Sequence, residues 1–355
     1  MTRLFDSPGK LSADRMNDLV FARLGAQRAD VLVGPGMGLD NAIIDISADR
    51  VLAVTTDPFW YEPRFGVDDA AWFAWHITAS DIATCGHRPD HVVADFTLPY
   101  GSTEQGFERI LAVCDQQCRR YGAAIVAGHT APYPSAAYPT IGALTMMATC
   151  DKNDYVTPAM AEPGDVVIVT KGAPVCAAAM MARYFPATVQ ALLGAELFAT
   201  AHEEMFWQSS SVEDALTAAS VGLRTGVTSM HDATEGGLLN ALSEVAEASR
   251  VGMRIDLSAV HVPEASAALC RHFRIDPYSA VSLGTLIITT RPQLADEALR
   301  RLQAGEIAAS QIGEVVPADR GVVVERKGRR TQRLDVAPPD SFWPAFFRGI
   351  EDGMP

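Results

Sequence analysis

Two groups of residues in this chain have the types and spacing for shared chemistry. In the first half, Asp40, Asp57 and Asp81 fall at the ends of expected elements, and the glycine-rich segment Gly34-Pro35-Gly36-Met37-Gly38 runs up to the first of them. Clustered carboxylates completed by phosphate oxygens are how hard cations such as magnesium are held. In the second half, His231-Asp232-Ala233-Thr234-Glu235-Gly236-Gly237 leads into Leu238, Leu239, Leu242, Val245 and Ala246, which recur at the spacing of an amphipathic helix starting near Thr234. Two glycines in a first helical turn cost roughly 1 kcal/mol each against alanine, so local stability does not explain them. Bare backbone N–H donors at such a start suit an anion, above all a phosphate, and Asp232 and Thr234 are capping types. A Gly-Gly turn that lets the helix pack tightly on a strand explains the pair equally well.

Other groups add to these two. His129, in Gly128-His129-Thr130, and His231 each follow an expected strand, where an imidazole serves as acid/base, phosphate contact or satisfied core residue. Lys171 follows a strand beside Gly172, as a phosphate-reaching lysine would. Asp81 falls in the last turn of a helix, where the dipole disfavours an anion, so it calls for a metal or a basic partner. No GxxxxGK[ST] occurs and no GxGxxG follows a strand, which removes the P-loop and Rossmann sites. No serine occupies a nucleophile elbow. Cys85 lies near His87 and Arg88, basic neighbours of the kind that can lower a thiol's pKa.

The elements that must position these groups form two successive patterns. A helix is expected over 13–27 after a turn at Ser7–Leu11, then strands at 40–46 and 51–56, the latter delivering Asp57 at its end. A helix over 68–85, a strand over 92–98, a helix over 103–121, a strand over 123–127, a turn at Gly128-His129-Thr130 and a strand over 141–149 complete an α/β half. The proline-punctuated stretch from Asp151 to Asp165 is the best boundary, placing one domain at 1–158 and a second at 159–355. In the second, strands at 165–170, 226–230, 252–257, 284–290, 312–316 and 322–325 are interspersed with helices, the last near 341–350. This favours mixed α+β with segregated sheets over a doubly wound parallel sheet.

The totals bound the class. A chain of 355 residues, 48% hydrophobic and 20% charged, is ordinary globular composition and exceeds what one core usually serves. A formal net charge of −14 excludes a general affinity for nucleic acid or anionic membrane, without excluding a local nucleotide pocket. The N-terminus lacks the pattern of a signal peptide and no run is long enough to span a bilayer, so a soluble, cytoplasmic protein is expected. Six scattered cysteines fit a reducing compartment.

Taken in order, Gly38-Leu39-Asp40-Asn41-Ala42-Ile43-Ile44-Asp45, Thr55-Thr56-Asp57, Ser80-Asp81-Ile82-Ala83-Thr84-Cys85-Gly86, Gly128-His129-Thr130 and Asp232-Ala233-Thr234-Glu235-Gly236-Gly237-Leu238 carry a resemblance. The chain resembles the aminoimidazole ribonucleotide synthetase (PurM-like) superfamily over nearly its whole length, and within it the HypE branch of hydrogenase-maturation proteins. The resemblance implies two α/β domains, the first pairing with its twin in a homodimeric β-barrel, and ATP with Mg2+ bound between domains. It implies phosphorylation of an amide-like or carboxylate-like oxygen on a still unidentified acceptor. Asp40, Asp57 and Asp81 match metal positions. Gly36, Gly38, Thr130, Asp232, Thr234, Gly236 and Gly237 are the expected nucleotide contacts, with His129, Lys171 and Asp81 as catalytic candidates.

Departures narrow the expectation. Leu39 replaces the first of two adjacent aspartates, Ser80 a usual Asn, and His129 a usual acid. The chain ends Glu351-Asp352-Gly353-Met354-Pro355, without the terminal cysteine of HypE itself, which points to a separate small molecule or another protein's group as acceptor. No cysteine precedes Cys85, against selenophosphate synthetase activity. Thiamine-monophosphate kinase activity and a catalytically lapsed nucleotide-binding scaffold are the alternatives.

Overall fold

The computed structural model describes residues 13–326 and 331–355, so the turn expected at Ser7–Leu11 lies outside the described residues. The first half builds a sheet from β1 (Val31–Val33), β2 (Ala42–Asp45), β3 (Arg50–Trp60), β4 (His91–Pro99), β5 (Ala124–Tyr133) and β6 (Thr140–Asp151). Their order is β1-β2-β3-β6-β4-β5, antiparallel apart from the parallel β4–β5 pair. The second half builds another from β7 (Val166–Thr170), β8 (Val227–Asp232), β9 (Gly252–Asp256), β10 (Leu286–Thr290), β11 (Ala309–Val316), β12 (Val322–Glu325) and β13 (Gln332–Arg333). Here the order is β13-β12-β9-β11-β7-β10-β8. Each half thus keeps its own mixed sheet, the α+β arrangement expected from the sequence.

Side-chain pattern explains which faces are covered. Along β3, Val51, Ala53 and Thr55 are buried while their neighbours are not, the period-two alternation of a strand with one packed face. In β8 and β10 every position is buried. Between the sheets runs the helix Val67–Ala83, whose Ala, Phe, Trp and Ile residues lie all around its circumference and which is buried from Ala70 to Ala83 at all but three positions, Trp72, Ile77 and Asp81. A helix apolar on every side belongs in an interior. It packs on β3 and β6 on one side and on β8 and the helix Val212–Ala219 on the other. A single apolar cluster therefore joins Phe59, Trp75 and Ile82 to Met180, Phe206 and Ile288.

Several elements depart from their expected bounds. β3 continues through Asp57 to Trp60 because β6 keeps pairing with it, Asp57 opposite Leu144 and Trp60 opposite Thr140. Asp57 thus sits within a strand. β5 likewise runs through Gly128-His129-Thr130, paired with Ala94, Asp95 and Phe96 of β4. Gly128 marks close approach there, since a Cβ would lie 2.2 Å from the Ala94 carbonyl oxygen. The expected helix over 13–27 is a short α turn, a π turn and a 3-10 turn ending at Arg23. The helix Gly237–Ser249 starts three residues beyond Thr234. Among the described residues, no helix is long and apolar enough to cross a membrane.

Candidate functional site

A cavity of about 620 Å³ opens between the halves. β3 supplies Thr55 and Asp57, the segment before β2 supplies Asp40 and Asn41, and the end of the helix Val67–Ala83 supplies Asp81. The second half adds Asp232 from the end of β8, followed by Thr234 and Glu235. The remaining wall is apolar, with Trp60, Phe73, Ile77, Met180, Leu283 and Trp343. Carboxylates from both halves therefore share one partly apolar enclosure.

Local bonds hold the acids in place. Asn41 Nδ2 donates to the Asp81 carbonyl oxygen at 3.0 Å and to Thr84 Oγ1 at 2.8 Å, fixing the helix end against the Asp40 segment. Thr55 Oγ1 donates to Asp81 Oδ2 at 3.2 Å. His231 bridges the halves, with Nδ1 at 2.7 Å from Asp40 Oδ1 and Nε2 at 3.0 Å from Glu244 Oε2. Burial disfavours a charged ring, yet Asp40 and Glu244 outweigh it and hold His231 up at about 10.

The acids carry the opposite strain. Burial, then the charges of Asp57 and Asp232, push Asp81 well above the usual carboxylate range. Burial and the charge of Asp40 push Asp232 up to about 7. Among the described residues no donor reaches Asp40 Oδ2 or either oxygen of Asp232. Buried carboxylate oxygens without donors, each raising its neighbour's pKa, are short of positive charge. An all-oxygen donor set of this kind fits a hard divalent cation, with Asp40, Asp57 and Asp81 available to hold it.

The glycines settle differently. Gly236, at φ 78°, is the N-cap of the helix Gly237–Ser249, a role neither Asp232 nor Thr234 takes. Its N–H donates to Asp340 Oδ2 at 2.7 Å, and the Leu239 N–H donates to the Tyr278 carbonyl oxygen at 2.9 Å. The helix start thus binds an anionic group of the chain's own, a carboxylate that also accepts from the Phe342 N–H. A Cβ on Gly237 would lie 2.3 Å from the Ala280 carbonyl oxygen, so this glycine permits close packing. Gly38, at φ 68°, is pressed onto Glu244, where a Cβ would meet backbone at 2.7 Å. It brings the Asp40 segment down onto His231. Gly36 does not line the cavity, although Gly34 and Pro35 do.

Four other residues are not brought to the acids. His129 and Thr130 sit on the exposed strand β5, with His129 Nε2 3.1 Å from the Tyr133 hydroxyl. Lys171 Nζ donates to the Ser210 carbonyl oxygen at 2.6 Å and to Asp214 Oδ2 at 2.8 Å, anchoring a loop of the second half. Cys85 is buried and its thiol is pushed up to about 12 by burial, which removes it as a nucleophile.

Sequence reasoning left out His231 as a bridge, Glu244, Asp340 and the apolar wall. For Glu244 a signal existed, because it stands three residues after Ala241 and seven after Gly237 on the packed face of its helix, and an acid on such a face needs a partner. Asp340 carried no such mark, since its partner is 104 residues away.

Comparison with known proteins identifies the family of both halves. Residues 38–149 match the AIR synthase related protein N-terminal domain and residues 162–326 the C-terminal domain. The chain is an enzyme of the AIR synthase related family. Carbamoyl dehydratase HypE of Rhizobium leguminosarum bv. viciae is 28% identical over 295 residues, covering 79% of this chain and 78% of the relative. In fold the chain is similar to a structure of a HypE–HypF complex, with TM-score 0.71 and 19% identity over 91% of this chain and 99% of the other. It is also similar to HypE in complex with ATP, with TM-score 0.63 and 24% identity over 94% and 97% of the two chains.

Proposed function

We propose that the protein is an ATP- and Mg2+-dependent enzyme that phosphorylates an amide-like oxygen of a small molecule or of another protein's group, and dehydrates it as a carbamoyl dehydratase does. The observation that carries this is the convergence of Asp40, Asp57 and Asp81 with Asp232 on one cavity, together with the carbamoyl dehydratase relatives. With an amide acceptor, the carbonyl oxygen attacks the γ-phosphorus and ADP leaves. The O-phosphorylated group then loses phosphate and its N–H protons to give a nitrile. The apolar wall keeps water from the activated group.

Mg2+ held by Asp40, Asp57 and Asp81 would neutralise the transferring phosphate. Of the glycine turn, Thr234 lines the cavity and Gly236 and Gly237 do not, so for this turn to meet the polyphosphate Asp340 must yield the Gly236 N–H to a phosphate oxygen. The division at 1–158 and 159–355 puts the acids on one domain and the glycine turn on the other. The outer edge of β5, with Ile125 and Val126 exposed, supports pairing with a second copy to close a barrel. Six free thiols support a cytoplasmic setting.

The test is ADP release with amide, thioamide and thiamine phosphate acceptors. A nitrile-type product supports dehydration, and a doubly phosphorylated thiamine would instead establish the kinase. Asp57→Asn is expected to remove turnover while leaving the circular dichroism spectrum unchanged; turnover at the wild-type rate would end the metal assignment.

A further inference from the structure

The acid cluster contains one member unlike the others. Asp40, His231 and Asp232 each offer a ligand atom, and the three atoms lie within 4.8 Å of one another. That spacing is within reach of a single ion at bond lengths of about 2.0–2.2 Å. The imidazole is also prepared as a ligand. Glu244 Oε2 lies 3.0 Å from Nε2, so an Nε2–H donated to it directs the Nδ1 lone pair towards Asp40 and Asp232. A carboxylate behind a histidine in this way fixes the tautomer and ring orientation of metal-binding imidazoles. Asp232 is 1% exposed, and neither of its oxygens has a hydrogen-bond donor among the described residues. Its hydrogen-bonding neighbour is the Asp81 carboxyl, itself a buried acid, so no basic or neutral donor of the described residues accounts for this aspartate.

We infer that Asp40, His231 and Asp232 form a nitrogen-containing seat for a transition-series divalent cation, with Glu244 as the positioning residue behind the imidazole. Imidazole suits Zn2+, Fe2+, Co2+ and Ni2+, whereas Mg2+ prefers oxygen and gives up water reluctantly. The seat shares Asp40 with the proposed Mg2+ ligands and adds two groups of the second half, so a cation there ties the halves together. Binding replaces the proton between Nδ1 and Asp40, which leaves to solvent. The inference rests on the proposal that these acids hold a divalent cation.

The experiment titrates the whole protein, without nucleotide, with Co2+ and separately with Mg2+, and records the pulsed-EPR spectrum of the Mn2+-loaded protein. The wild type is expected to show coupling from an imidazole nitrogen that changes on 15N-histidine labelling. His231→Gln is expected to weaken Co2+ binding by about 10- to 100-fold and Mg2+ binding by less than about twofold, and Glu244→Gln to weaken Co2+ by about tenfold. Asp57→Asn, which removes turnover in the proposed function, should leave the nitrogen signal in place. Should His231→Gln fail to fold, the wild-type nitrogen signal decides alone. Absence of that signal, or Co2+ affinity in folded His231→Gln within about twofold of wild type, overturns the seat while the Mg2+·ATP proposal stands. If no divalent cation binds and no ADP is released, both are overturned.

Discussion

β5 and β8 are both terminal strands of their sheets and each carries a histidine, yet they are opposites. All but one residue of β5 is exposed and His129 meets Tyr133 on the same strand, whereas every residue of β8 is buried and His231 is held between two carboxylates. The difference comes from what covers the strand. The helices Val67–Ala83 and Gly237–Ser249 pack on β8, and the latter brings Glu244 onto the ring. Among the described residues no strand pairs with the outer edge of β5. One histidine therefore carries a charge in a low-dielectric bridge, and the other is an exposed surface group.

The largest effect expected from this contrast is on stability. His231→Ala leaves Asp40 and Glu244 buried without their shared cation and should cost about 3–5 kcal/mol in urea unfolding, while His129→Ala should stay within about 0.5 kcal/mol. Equal effects of the two substitutions would erase the distinction between the strands.

A second consequence is a slope with pH. The folded value for His231 is raised to about 10 from an ordinary 6.5, so its proton-linked stability is complete below 6.5 and is lost as pH rises through 10. With a chelator present, the melting temperature of the wild type should fall across that window, and that of His231→Ala should fall less. A steeper fall in the variant would contradict the bridge.

The smallest effect should be confined to β5. Val126→Glu is expected to convert a dimer to a monomer in sedimentation with the monomer still folded, because Val126 is 54% exposed and its substitution disturbs no packing within the chain. An unchanged sedimentation coefficient for a wild-type dimer would place the contact elsewhere.

Much of this arrangement follows from local pattern. The helix expected over 68–85 forms over Val67–Ala83 and carries Asp81 to the cavity. The acids at 40, 57 and 81 and the Gly-Gly turn at 236–237 were visible as chemistry without partners. Their partners were not visible, because the bond from His231 to Asp40 crosses 191 residues and that from Gly236 to Asp340 crosses 104. The turn expected at His129 failed for the same cause. Pairing with β4, which no local signal announces, extends β5 through Gly128.

By itself the sequence determined two successive halves of mixed strands and helices, the helix that carries Asp81 and a supply of acids suited to a cation, since these depend on periodicity and residue type over short spans. Only the tertiary structure decided that Asp232 joins those acids, that His231 is charged and shared between the halves, and that Asp340 takes the helix start first considered for phosphate. The physical reason is that pKa values and anion sites depend on burial and on charges a few ångströms away, and those neighbours come from remote parts of the chain.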